Sequence, residues 1–398
     1  MLNAIAQDFE PSAIGQVFSR ASRLKAEGRE IIDLSVGEPD FETPEHVKQA
    51  AWAAIQRGET KYTPVEGSIA MRRAAQAKFR RDNDLDYELE QINIGQGAKP
   101  LLYRALQATL DPGDEVIVPA PYWASYPGMV KLCGGNPVIV SCPEDDGFKL
   151  TPAALAGAIN GKTKWVLFNS PSNPTGALYS RAEYQALGVV LEAHPRVLVM
   201  ADDIYEHIAF GAEPYVTFAQ AVPDLMARTV TVNGVSKGYA MTGWRIGFAG
   251  GPAVLMEAMR RLLSQSEGNP SSVSQAAAIA ALEGPQELLA ERAAAYRERR
   301  DLVVARLNQT PYLRCAAPEG AFYVYPNCEG LIGKTAPAGQ RIEASRDFAA
   351  YLLEAHGVTL VPGAAFGMDP YLRLSTAASL PQLEAACDKI ARACGELT

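Results

Sequence analysis

The stretch Asn233-Gly-Val-Ser-Lys-Gly-Tyr-Ala-Met-Thr-Gly-Trp-Arg-Ile-Gly247 sets a lysine, Lys237, just behind an apolar run and among small residues. Lysine is usually solvated, and an isolated one reads as a surface or structural residue. Burial among Gly, Ser and Ala would instead favour the neutral amine that Schiff-base chemistry requires. Arg245 follows eight positions later, and a fixed guanidinium can grip a phosphate through two parallel hydrogen bonds. A lysine nucleophile beside a phosphate-binding arginine points to pyridoxal phosphate.

Outward from Lys237 the chain alternates short apolar runs with helical stretches. Candidate strands are 91–95, 115–119, 137–140, 164–169, 197–202, 229–233 and 247–250. Helix-like segments 99–109, 123–133, 152–159 and 181–193 lie between them. Strands of Val, Ile, Leu and Phe separated by helices imply an α/β fold with a mostly parallel central sheet covered on both faces. Several of these runs end in Gly, Asn, Asp or Ser, at the edge where open sheets bind ligands. Beyond about residue 270 come long Ala/Glu/Arg-rich helices (274–282, 288–307), short strands (321–325, 359–361, 372–375) and two further helices (345–356, 381–394). These imply a smaller α+β domain, which the early strand 31–36 joins. The expected division is an N-terminal arm and first part of the small domain over 1–45, a large cofactor-binding domain over 46–285, and a connecting helix with the small domain over 286–398.

A chain of 398 residues, 48% hydrophobic and 21% charged, has ordinary globular composition. Its net charge of −8 argues against nucleic-acid and polybasic membrane binding. The apolar runs are strand-sized, far short of the roughly 18 residues of a membrane helix. Asp8 and Glu10 leave no cationic signal-peptide segment at the start. Six cysteines without a CxxC read as reduced thiols of a cytoplasmic protein, and four histidines without ligand spacing suggest no metal.

The Lys237 segment resembles the cofactor-lysine motif of class I aminotransferases of the aspartate aminotransferase type, which are pyridoxal-phosphate enzymes of fold type I. The resemblance continues along the chain, in order and spacing. It takes in Gly37-Glu-Pro-Asp-Phe41, Lys61-Tyr-Thr-Pro-Val-Glu-Gly67, DPGDEVIVPAPYW from Asp111 to Trp123, Asn169-Ser-Pro-Ser-Asn-Pro-Thr-Gly176, Asp202-Asp-Ile-Tyr-Glu-His207 and Tyr371-Leu-Arg-Leu-Ser375. It implies the aspartate-aminotransferase-like fold and a homodimer with shared active sites.

Gly95-Gln-Gly97-Ala-Lys-Pro100 follows a strand and opens a helix, with Pro100 suited to the first turn. Such residues form either a plain strand-to-helix turn or a cradle of N–H groups for an anion. The resemblance implies the cradle: Gly97, Ala98 and Lys99 at the cofactor phosphate region, with Ser236 and Arg245 alongside. Tyr62 resembles the tyrosine that reaches the phosphate of the neighbouring subunit's cofactor. Asp202 closes a buried strand, where an unpaired carboxylate is costly. It is either a structural cap or ion-pair partner, or the group that keeps the pyridine nitrogen protonated and the ring an electron sink. The resemblance implies the second role. It makes Tyr205 and Asn173 partners of the ring hydroxyl and lays Trp123 against the ring beside the substrate. Arg373 becomes the bidentate clamp on the substrate α-carboxylate, with the Gly37 backbone close by. Asp203 reads as structural. Lys237 then carries the cofactor as a Schiff base and, once freed, moves the Cα proton as general base and acid in a ping-pong cycle.

Substrate choice turns on the distal group. One branch of the family reads a side-chain carboxylate with an arginine lent by the other subunit, yet no arginine lies between Arg261 and Arg292. The bacterial subgroup uses a lysine, which maps onto Lys99, and a serine, which maps onto Ser12. Here Glu10 and Ile14 stand where that subgroup carries lysine and threonine, and an acid turned inward would repel a dicarboxylate. The implied reaction moves the amino group of L-aspartate to 2-oxoglutarate, giving oxaloacetate and L-glutamate. Aromatic amino acids or prephenate are the alternative, with a lyase behind them, since a fold does not dictate its reaction. A nicotinamide site would need a glycine at Pro100, and a phosphate loop at Gly333-Lys334-Thr335 would need one at Cys328.

Overall fold

A computed structural model of the chain describes Gln7, Phe9 and residues 13–398, the side chains of 13 and 14 excepted. The first strand, β1 (Ile32–Asp33), stands apart from the main sheet. That sheet holds β2 (Ile92–Gly95), β3 (Glu115–Ala120), β4 (Asn136–Ser141), β5 (Thr163–Asn169), β6 (Leu198–Asp202), β7 (Thr229–Gly234) and β8 (Gly247–Gly250). Their spatial order is β2-β8-β7-β6-β5-β3-β4. Six of these strands point the same way, and β8 alone is reversed, antiparallel to both β7 and β2.

Side chains alternate between the two faces of each strand. Val116, Trp165, Leu167, Met200 and Val230 pack on the helices Ala98–Gln107 and Ala253–Ser264. Ile117, Val166, Phe168, Val199 and Ala201 pack on the opposite side, against the helix Arg181–Glu192. Because both faces are covered, the central strands are unbroken apolar runs. Parallel pairing sets Asn169 opposite Asp202, and Asp202 opposite Val232, at the carboxyl edge. From that edge the chain leaves β7 directly toward Lys237.

Outside this sheet lie β9 (Tyr323–Val324), β10 (Val358–Thr359), β11 (Val361–Pro362) and β12 (Leu372–Ser375). β10 pairs in parallel with β1, and β12 is the middle strand of an antiparallel sheet between β11 and β9. A separate core, including Leu34, Val303, Val324, Phe348, Leu374 and Ile390, joins these strands to the helices Glu287–Asn308 and Leu380–Gly395.

The strand expected over 359–361 is two short strands that belong to different sheets. The helix expected over 123–133 is only Tyr126–Leu132, because Pro127, which suits a first helical turn, marks its start. The helix expected over 345–356 is α-helical to Tyr351 and then widens into a π-turn over Leu352–His356.

The helix Ile69–Asn83 buries a lysine. Lys78, 1% exposed, pairs with Glu206 and donates to Asn83 Oδ1 (2.6 Å), while Asn83 Nδ2 donates to Glu206 (2.8 Å). Burial opposes ionisation of Glu206, but the Lys78 ammonium and His207 outweigh it and hold the carboxyl far below its ordinary range. Asp82, Glu206 and His207 bring ligand atoms within 4.8 Å of one another. Lys78 pairs with Glu206 and Arg81 with Asp82, so these residues form an ion-pair network, which anchors the segment 202–207 from behind.

Candidate active site

A cavity of about 420 Å³ opens at the carboxyl edge of the main sheet. Its lining brings together Gly37, Ala98, Lys99, Trp123, Asn173, Asp202, Tyr205, Ser236, Lys237, Arg245 and Arg373. Of the other residues chosen from sequence, Gly97 abuts Arg245 just behind the wall. Tyr62 is 97% exposed and does not line the cavity of its own chain. Ser12 and Glu10 lie outside the described residues, as does the side chain of Ile14.

Lys237 Nζ donates to the Gly37 carbonyl (2.5 Å) and stands 5.7 Å from the centre of the Tyr205 ring. Burial lowers its amine from 10.5 to about 8; Glu38 opposes that shift, and Arg373 and Arg245 reinforce it. Asp202, at the end of β6, is 5% exposed. Its Oδ2 accepts from the Tyr126 hydroxyl (2.7 Å), and its Oδ1, equally buried, has no hydrogen-bond partner among the described residues. Burial raises this carboxyl from 3.8 to about 6, against the pull of the Tyr126 hydroxyl, the Ile204 backbone N–H and Lys237.

Arg373, on β12, is 2% exposed. Its guanidinium donates to the Ser35 carbonyl and to Asn173 Oδ1 (3.1 Å), and it lies over the rings of Tyr323 (4.7 Å) and Phe366 (5.0 Å). Asp33 fixes the Ser35 turn by accepting from the Ser35 N–H (3.1 Å) and hydroxyl (2.6 Å). Lys99 Nζ sits over the Trp123 ring (4.7 Å), and burial beside Arg245 lowers its pKa.

The helix Ala98–Gln107 starts at Gly97, which has φ 97° and supplies no side-chain cap. The first-turn N–H groups are therefore open to an anion. A side chain at Gly97 would overlap the Arg245 guanidinium, and one at Gly247 would overlap the Gly97–Ala98 backbone. Only glycine lets β8 and the helix start converge so closely. Arg245 itself takes a left-handed φ of 57° and is tied to the carbonyls of Thr242 (2.9 Å) and Gln96 (3.2 Å).

These residues fit pyridoxal phosphate. The open helix start, Arg245 and Ser236 suit its phosphate. The unpartnered, buried oxygen of Asp202 calls for a donor such as a protonated ring nitrogen. An amine at about 8 carries a neutral fraction at physiological pH that one at 10.5 lacks.

Sequence reasoning missed several members of this site. Asn169 Nδ2 donates to the Asp202 carbonyl (2.8 Å) and its Oδ1 accepts from the Asn173 N–H (2.8 Å), tying two functional loops together. It stands inside a motif already singled out, opposite Asp202 in register, which was a usable signal. Tyr126 and Tyr323 carried none, because an aromatic residue in an apolar segment is ordinarily core.

A lysine amine, a buried carboxylate and a buried guanidinium thus meet in one cavity at the carboxyl edge of the main sheet, an arrangement that suits a pyridoxal-phosphate enzyme acting on amino acids. Residues 29–390 match the family described as aminotransferase class I and II, and the chain belongs to that family. It is 52% identical over 387 residues to the aspartate aminotransferase of Rhizobium meliloti (strain 1021), covering 97% of this chain and 94% of the relative. It is also 52% identical to the aspartate/prephenate aminotransferase of Cereibacter sphaeroides, over 98% of this chain and 97% of that one. The crystal structure of the Rhizobium meliloti aspartate aminotransferase superposes with a TM-score of 0.97 at 51% identity, over 100% of both chains. The Thermus thermophilus aspartate aminotransferase with maleate gives 0.91 at 39% identity, over 99% of both. No helix among the described residues is long and apolar enough to cross a membrane.

Proposed function

We propose that this chain is an aspartate aminotransferase that moves the amino group of L-aspartate to 2-oxoglutarate, with pyridoxal phosphate held on Lys237 as a Schiff base. The observation that carries this reading is the meeting of Lys237, Asp202 and Arg373 in one cavity. When bound, pyridoxal phosphate supplies a sink for the electron pair left at the substrate Cα.

Asp202 keeps the ring nitrogen protonated, and Tyr126 holds Asp202 in place. Tyr205 and Asn173 bond the ring hydroxyl, and Trp123 covers the ring. Gly97, Ala98, Lys99, Ser236 and Arg245 receive the phosphate. Arg373 grips the α-carboxylate beside the Gly37 backbone, which orients the substrate. Lys237, freed, takes the proton from Cα as a base and delivers it as an acid, and a pKa of about 8 suits both duties. Lys99 meets the distal carboxylate.

The enzyme works as a homodimer in which Tyr62 reaches the partner's site. Support comes from Tyr62 at 97% exposure and from the exposed Trp52 and Ile69. A large domain over 46–285 and a small one over 286–398, completed by the arm 1–45, form each subunit. Six free cysteines suit a cytoplasmic setting. A second reading is prephenate transamination, favoured by relatives named for both substrates. Prephenate is also a dicarboxylate, so the same lysine could meet it.

The test is the visible spectrum of the purified protein. A cofactor band that L-aspartate removes and 2-oxoglutarate restores supports the reading. A band indifferent to aspartate but responsive to the prephenate pair moves the assignment to the second reading. No chromophore after pyridoxal phosphate is added refutes both.

A further inference from the structure

Three buried phenols line or back the cavity, and two of them have duties above. The third, Tyr323 on β9, is 1% exposed and lines the cavity. Its hydroxyl lies 2.7 Å from that of Tyr205, its single hydrogen-bond partner among the described residues. The Arg373 guanidinium covers its ring at 4.7 Å, and a side chain at position 37 would strike its hydroxyl. Gly37 thus leaves room for this phenol as well as for a substrate.

A phenol has one proton to donate. If Tyr205 gives its proton to a group in the cavity, the contact to Tyr323 persists only with Tyr323 as donor. The bonds then run one way, from Tyr323 to Tyr205 to the cavity. A hydroxyl that accepts a hydrogen bond donates more strongly, by roughly 10–30% per bond. Burial keeps both phenols protonated. Arg373, Asp202 and Lys237 are the charged groups around the pair, with Glu38 and Arg245 next around Lys237. None of them bonds the Tyr323 hydroxyl.

We propose that Tyr323 is a positioning residue: it donates to the Tyr205 hydroxyl and so strengthens the hydrogen bond that Tyr205 gives to the cofactor's ring hydroxyl. This rests on the role assigned to Tyr205. It also couples the two halves of the site. Tyr323 pairs with Ser375 across the small sheet, two residues from Arg373, so the sheet that carries the carboxylate clamp also carries the phenol that tunes the ring.

The experiment is a pH titration of the holoenzyme's visible absorbance. Tyr323→Phe keeps the ring under Arg373 and removes one hydroxyl. With a weaker donor at Tyr205, negative charge on the ring oxygen is less stabilised and the chromophore keeps its proton to higher pH. The expected midpoint shift is upward by about half a unit. In a Tyr205→Phe background the same substitution adds nothing, because the link is already cut. An unmoved midpoint in Tyr323→Phe alongside a moved one in Tyr205→Phe overturns the proposal and leaves the role of Tyr205 standing. A Tyr323→Phe shift that persists undiminished in the Tyr205→Phe background also overturns it. An unmoved midpoint in Tyr205→Phe removes the role of Tyr205, and the proposal with it.

Discussion

Replacing Tyr126 by Phe deletes the hydroxyl that donates to Asp202 Oδ2 at 2.7 Å. A hydrogen bond to an ionised group is worth about 1.5–3 kcal/mol, and one between neutral groups about 0.5–1.5. The loss therefore weighs about 1–1.5 kcal/mol more on ionised than on protonated Asp202, which is about one pKa unit. Asp202 should move from about 6 to about 7 in the cofactor-free protein. Its folded value already stands above the ordinary 3.8, so the stability it contributes is full below that pH and lost as pH rises through about 6. In the variant this loss continues through about 7. The two proteins should differ by about 0.5–1.5 kcal/mol near pH 5 and by about 1 kcal/mol more near pH 8. Urea unfolding of both cofactor-free proteins across this range measures the difference, with other titrating groups cancelling between them. A difference that is the same at both ends of the range would refute the reasoning, since Tyr126 would then not distinguish the two states of Asp202.

Other outcomes follow from the same site. In the cofactor-free protein, acylation of Lys237 should track the neutral amine with a midpoint at about 8; a midpoint at the ordinary 10.5 would mean that the amine is solvated. Lys99→Ala should lower turnover of aspartate well below that of alanine, because only aspartate carries a distal carboxylate; equal losses in steady-state kinetics would confine Lys99 to the phosphate side. Lys78→Met strands the buried Glu206 and should destabilise the fold by about 3–5 kcal/mol in chemical denaturation. Adding Glu206→Gln should recover part of that loss, and no recovery would show that the ion pair is not its source.

The main sheet was legible in the sequence because parallel strands covered on both faces must be continuous apolar runs between helices. The reversal of β8 was not, since Gly247–Gly250 reads the same in either direction and only its pairing with β7 and β2 sets it. The helix Ile69–Asn83 also escaped, because its buried face mixes Met71, Ala74, Ala75 and Phe79 with the polar Lys78 and Asn83 and so offers little hydrophobic contrast. Within the site, the legible residues were those whose type is odd for their place, such as a lysine after a strand or an arginine within one.

Sequence alone therefore determined the strand–helix alternation, the chemical types available at the strand ends and, through motif order, the family. Tertiary structure decided which of those groups meet. Lys237 finds Gly37, and Arg373 finds Ser35, across 200 and 338 positions of chain. Tyr126 and Tyr323 became polar members of the site only through the direction in which packing turned their hydroxyls. Local patterning records how each segment buries itself, whereas the desolvation and hydrogen bonds that move a lysine to about 8 or an aspartate to about 6 exist only where distant segments exclude water together.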